Sequence, residues 1–96
     1  MAVFIGEVDT IPQYENADKA QVMKISEELM EVFSAWEEYN FYRNSAYCKD
    51  MLLLECADVM QALCNLIAGL GVNDFKPYMD ACKKRNEERG RHYEQG

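Results

Sequence analysis

Two short acidic runs hold the residues whose types and spacing can do chemistry. The first is Glu27-Glu28-Leu29-Met30-Glu31 and the second is Glu55-Cys56-Ala57-Asp58. Residues three and four apart share one side of a helix, so Glu27, Glu28 and Glu31 stand together, as do Glu55 and Asp58. Like charges at that spacing destabilise an isolated helix, which asks for something to offset them. The second pair is the more informative, because residues 51–70 are otherwise almost wholly apolar. An unpaired carboxylate on a buried helix costs several kcal/mol, and a cation, a metal ion or a shared cleft offsets that cost. Gln61 and Asn65 continue the same polar stripe.

Two carboxylates from each of two neighbouring helices make an all-oxygen pocket, the donor set that hard divalent ions prefer. Mg²⁺ is the expected ion, with Mn²⁺ as its alternative. Zinc is a poor match. The one histidine, His92, lies near the end of the chain, and Cys48, Cys56, Cys64 and Cys82 contain no C-x-x-C pair. Cys56 and Cys64 fall in the apolar stretch and read as small buried hydrophobes rather than disulfide partners. Di-iron carboxylate bundles need a Glu-x-x-His on two helices, which this chain lacks. Taken alone, Glu27, Glu31 and Glu38 oppose the apolar stripe of their own segment and read as a solvated face. Glu55 and Asp58 do not admit that reading so easily, given the cost of desolvating them.

Helices must position these groups. The first is expected from Asn16 or Asp18, both good N-caps, to about Arg43. Its apolar positions Val22, Ile25, Leu29, Val32, Phe33, Trp36 and Tyr39 fall in one stripe about 120° wide. After a break at Asn44-Ser45, a second helix starts between Ser45 and Asp50 and ends near Gly69 and Gly71. It is apolar nearly all round and is expected to be the buried one. Asn73 or Asp74 then caps a third helix with Pro77 in its first turn, an apolar face of Phe75, Tyr78, Met79 and Cys82, and Gly90 at its close. Residues 3–5 are short and β-prone, and Ile11-Pro12 marks an extended entry. The fold class is all-α, with residues 1–96 forming a single domain of three main helices.

Three helices in so short a chain cannot cover every side of an apolar central one. A four-helix-bundle-type core formed on dimerisation is the expected solution, as a homodimer or dimer of dimers. The competing arrangement is a monomer whose first fifteen residues fold back over the gap. Seventeen acidic against ten basic residues leave a net charge of −7, which argues against a nucleic acid polymer as partner. The opening residues have no basic flank and only a short apolar run, so neither a signal peptide nor a membrane span is expected there. The cytoplasm is the expected compartment.

With both acidic motifs in order on adjacent helices, the sequence resembles the MazG family of all-α nucleoside triphosphate pyrophosphohydrolases. The family's E-E-x-x-E and E-x-x-D read here as Glu27-Glu28-x-x-Glu31 and Glu55-x-x-Asp58. Met23-Lys24-Ile25-Ser26 and the basic run from Lys83 to Arg91 are also similar, so the likeness covers roughly residues 20–92. It implies hydrolysis of a nucleotide between its α- and β-phosphates, with Mg²⁺, to a nucleoside monophosphate and pyrophosphate. By position, Glu28, Glu31, Glu55 and Asp58 would be metal ligands. Glu27 would be an auxiliary ligand or the catalytic residue that orients and deprotonates the attacking water.

The substrate would arrive as a metal complex, so the acidic charge of the chain is no obstacle. Lys83, Asn86 and Arg89 lie three apart on one side of the third helix and are candidates for phosphate binding. Cations at a helix C-terminus also favour its dipole without any ligand. Lys24 is a further candidate, with an ion pair to Glu28 as the alternative. Tyr14, Phe41, Tyr42 and Tyr47 are within reach of a base in principle, whereas Trp36 reads as core and His92 as solvated. Two further functions stay open. One is a non-enzymatic helical assembly module or catalytically lapsed relative, and the other a phosphoribosyl-ATP pyrophosphatase.

Overall fold

A computed structural model describes residues 1–93 of the chain. It is all-helical, with a single 3₁₀ turn over Pro12–Tyr14 followed by α1 (Lys19–Phe41), α2 (Ala46–Gly69) and α3 (Lys76–Glu88). No strand occurs among the described residues, and the β-prone residues 3–5 are irregular and exposed. The helix boundaries follow local chemistry. Asp18 caps α1, its Oδ1 accepting from the Gln21 N–H at 2.9 Å, and Ser45 caps α2 by accepting from the Cys48 N–H at 3.2 Å. Between them Asn44 takes a left-handed φ of 76°, a conformation asparagine tolerates better than most residues, and this turns the chain back on itself.

The C-termini of α2 and α3 close in the same way. In α2, Gly71 (φ 80°) donates to the Ala68 carbonyl and Val72 to that of Ile67. In α3, Gly90 (φ 81°) donates to Glu87 and Arg91 to Asn86, so both ends are Schellman motifs. The start of α3 differs from the expectation. Phe75 occupies the N-cap position and makes no side-chain cap, while Asp74 accepts from the Lys76 N–H instead.

The hairpin of α1 and α2 is the main packing unit. Its seam on α1 is Gln21, Ile25, Glu28, Val32, Ala35 and Tyr39, alternately four and three apart. The matching positions on α2 include Cys48, Leu52, Glu55, Val59, Ala62 and Leu66, again at a 3.5-residue repeat. At helical pitch this seam is rotated roughly 60° from the apolar stripe expected for α1. Only Ile25, Val32 and Tyr39 of that stripe are half-buried. Val22, Leu29, Phe33 and Trp36 instead remain open, Phe33 at 53% exposure and Trp36 at 47%. The same pitch puts Leu53, Met60 and Leu63 of α2 on that side of the hairpin, making one open apolar face.

The expectation that α2 is buried therefore fails within one chain, because a single neighbour covers a single face. Only Ala62 and Asn65 of its residues are fully buried. All four cysteines are free thiols, half-buried rather than enclosed. By length and a mean hydropathy of 1.5, α2 would also be long and apolar enough to cross a membrane. Helix α3 packs substantially against neither partner, and the chain extends over 41 × 39 × 23 Å. Its radius of gyration is 15.7 Å, against about 12.5 Å for a compact domain of this length.

Residues 9–16 do fold back, but along the opposite side of α2 from the open face. The Ile11 N–H donates to Asn65 Oδ1 at 3.0 Å, and Gln61 Nε2 donates to the Asp9 carbonyl at 2.9 Å. This strap crosses Gly69 so closely that a Cβ there would lie 2.8 Å from the Asn16 carbonyl carbon. Gly69→Ala gains up to about 1 kcal/mol of helix propensity. The clash with backbone costs about 1–3 kcal/mol, so the variant should melt several degrees lower than the wild type. A melting temperature equal to or above the wild type's in a thermal scan would show that the strap is not seated on Gly69.

Candidate metal centre

Glu28 and Glu55 occupy seam positions near the middle of the hairpin, where neighbouring turns supply Ile25 and Val32 on one helix and Leu52 and Val59 on the other. That placement half-buries both carboxylates and aims them at one another across the helix pair. Asp58, one turn beyond Glu55, is exposed at the rim. One carboxylate oxygen from each of the three lies within 4.8 Å of the other two.

The charges in this group are unevenly compensated. Lys24 Nζ pairs with Glu28 Oε1 at 3.1 Å, and that hydrogen bond raises the lysine's pKa above its ordinary value. Glu55 has no hydrogen bond or ion pair among the described residues. Burial pushes its pKa up, and the neighbouring carboxylates of Glu31, Asp58 and Glu28 push it further. Glu55 is thus the least comfortable anion in the hairpin.

The donor set suits a hard divalent cation. It is oxygen only, the ligand type that Mg²⁺ and similar ions take. Glu31 is not one of the three but stands near enough to act on Glu55. Glu27 is exposed, makes no hydrogen bond or ion pair among the described residues, and acts electrostatically on Lys24.

The basic residues of α3 are elsewhere. That helix makes little contact with the hairpin, and Lys83, Asn86 and Arg89 belong neither to the carboxylate group nor to the lining of the cavity beside it. Lys83 sits 5.2 Å above the Tyr93 ring, and Asn86 donates to the Tyr93 hydroxyl at 2.8 Å while accepting from Arg91 at 2.6 Å. Phe41, Tyr42 and Tyr47 are exposed near the turn between α1 and α2, as is His92 near the end of the chain.

Beside the carboxylates opens a cavity of about 500 Å³, which Glu28 and Asp58 border together with Tyr14, Gln21 and Asn65. Tyr14 therefore reaches the site, which its sequence context did not single out. Gln21 is the residue that sequence reasoning missed. The available signal was its place seven residues before Glu28, on the same heptad position, where a polar side chain interrupts the seam. Comparisons with family models, curated proteins and solved structures give no match.

The raised pKa of Glu55 has a defined sign in stability. An acid that holds its proton more tightly when folded costs no stability below its unfolded pKa, and the cost grows as pH rises through the folded value. In chelator at pH 7, Glu55→Gln should melt higher than the wild type, and the difference should vanish at about pH 3.5, below the usual glutamate pKa. A variant that melts lower at pH 7 would mean that a protein cation already compensates Glu55.

Proposed function

We propose that this chain is a Mg²⁺-dependent nucleoside triphosphate pyrophosphohydrolase that works as a homodimer in the cytoplasm. The convergence of Glu28, Glu55 and Asp58 within 4.8 Å, with Glu55 left unpaired, is the observation that carries the reading. Two half-buried acids facing each other across an apolar seam are costly to keep, and a bound cation reverses that cost. The resemblance to the MazG motifs supports the choice of reaction.

Glu28, Glu55 and Asp58 would hold the ion, with Glu31 as a fourth carboxylate nearby. A divalent ion there would supply charge neutralisation along the phosphates and a more acidic water. Lys24, one turn before Glu28 and already oriented by it, offers an ammonium to a phosphate oxygen. Glu27 is exposed beside Glu28, where it would orient the attacking water and accept its proton. Lys83, Asn86 and Arg89 would bind phosphate only if a neighbouring copy brings α3 to the carboxylates.

The case for a second copy rests on area. The chain exposes 8143 Å², about 2,500 Å² more than a folded monomer of 11.1 kDa is expected to show. Covering that excess on both copies would bury about 5,000 Å² in total, at the upper end for obligate homodimers. The open face of Val22, Leu29, Phe33 and Trp36 beside Leu53, Met60 and Leu63 would pair with its own copy to complete a four-helix core. Insertion of α2 into a bilayer is the poorer solution, because Asp58 near its middle would cost about 2.5–3.5 kcal/mol at the membrane centre.

A panel of nucleoside triphosphates incubated with and without Mg²⁺, with products resolved by chromatography, tests the reaction. Monophosphate and pyrophosphate are expected, abolished by chelator and reduced at least about a hundredfold by Glu28→Gln. Release of diphosphate and inorganic phosphate, or no turnover at all, would overturn the assignment, and the latter would leave an assembly module as the function. Separately, light scattering should give twice the mass of one chain, and Phe33→Asp with Leu63→Asp should dissociate it. A wild-type protein monomeric at high micromolar concentration would sink the paired bundle.

A further inference from the structure

The cavity beside the carboxylates presents a matched donor and acceptor on two side chains that are almost fully buried, Gln21 at 5% exposure and Asn65 at 4%. Their orientations are fixed by backbone groups of unambiguous polarity. Gln21 Nε2 donates to the Ala62 carbonyl at 3.0 Å, which turns Oε1 to the other side. Asn65 Oδ1 accepts from the Ile11 N–H at 3.0 Å and from Gln61 Nε2 at 3.1 Å, which leaves the Nδ2 donors pointing away. Neither Gln21 Oε1 nor Asn65 Nδ2 has a partner among the described residues, and neither atom is sealed from solvent. Each atom is thus an open hydrogen-bonding position on a side chain that is otherwise almost fully buried, available to whatever enters the cavity.

The walls define that occupant. Ile11, Tyr14 and Ala20 supply an apolar and aromatic lining, while Glu28 and Asp58 stand at the mouth of the metal centre. A planar heterocycle that carries both a hydrogen-bond donor and an acceptor on its edge has the chemistry to complement both amides. We propose that this cavity is the nucleobase site, with Gln21 Oε1 accepting from an N–H of the base and Asn65 Nδ2 donating to the adjacent carbonyl or ring nitrogen. Gln21 and Asn65 are then specificity-determining residues, and a base-free polyphosphate leaves both unpaired. The assignment of the occupant as part of a substrate rests on the pyrophosphohydrolase reading.

The test separates the two. Without divalent ions, the wild-type protein is titrated with uridine, cytidine, adenosine and guanosine, with ribose 5-phosphate as the base-free control. Binding is followed through the side-chain NH₂ signals of Gln21 and Asn65 in nitrogen-15 correlation spectra. At least one nucleoside should shift both signals, and ribose 5-phosphate neither. Asn65→Asp keeps the acceptor for Ile11 and Gln61 but removes the donor, and it should weaken the best nucleoside about tenfold. Gln21→Met, of similar length, should do likewise.

The site is overturned if no nucleoside binds or if binding shifts neither amide. It is equally overturned if a variant melting like the wild type keeps the same affinities and ranking. If Asn65→Asp does not fold, the wild-type amide shifts decide. Equal cleavage of every triphosphate and of inorganic tripolyphosphate would refute the base site while leaving the reaction standing. Nucleoside binding at the two amides without any turnover would do the reverse.

Discussion

Two carboxylates set into the seam of an apolar helix pair are the constraint on which the hairpin is built. Glu28 and Glu55 stand where a two-helix seam ordinarily carries aliphatic side chains. Each gives up hydration on folding, and Lys24 compensates only the first. The hairpin is therefore assembled against a local electrostatic cost that Ile25, Val32, Leu52 and Val59 must outweigh from the turns above and below. Such an arrangement trades stability for a preformed cluster of oxygen donors, the trade expected where a bound ion repays it.

The two sides of the hairpin divide the work. One side carries the carboxylates, the cavity and the strap of residues 9–16, and mixes charged and amide groups with Ile11 and Tyr14. The other carries aromatic and aliphatic side chains left about half exposed in the single chain. Pairing through the apolar side would leave the polar one accessible, so an oligomer and a solvent-facing site do not compete for surface. Helix α3, capped at its end and attached by a short connection, is free in the single chain to meet whatever lies beside it.

Much of this was legible in the sequence, because the strongest signals are local. Asp18 and Ser45 announce the starts of α1 and α2, Gly71 and Gly90 close α2 and α3, and each rule concerns atoms within one or two turns. The convergence of Glu28, Glu55 and Asp58 was equally readable, since helical spacing fixes sides and a short turn brings helices together. What was not legible was rotation. Hydropathy assigns the widest apolar arc of α1 to the core, but α2 sits roughly 60° from its centre, so Gln21 and Glu28 are inside while Phe33 and Trp36 are out. A single chain cannot show which of two partners, its own second helix or another copy, each part of a broad apolar arc will meet. The fold-back of the first fifteen residues was readable as an alternative, but not its side or its anchor, since that attachment depends on Asn65 and Ile11 lying 54 positions apart.

Asn65 has a consequence of its own. Its planar carboxamide is a rigid unit, and the strap and Gln61 hold one end of it fixed. The other end is thereby aimed before anything enters the cavity, and the rotational entropy of that side chain is already spent in the empty protein. The same plate also joins two equilibria. Whatever loosens residues 9–16 frees the amide to rotate, and whatever engages the amide from the cavity holds residues 9–16 down. Occupancy of the cavity and order in the amino-terminal segment are thus thermodynamically linked through one side chain, each favouring the other by the same factor.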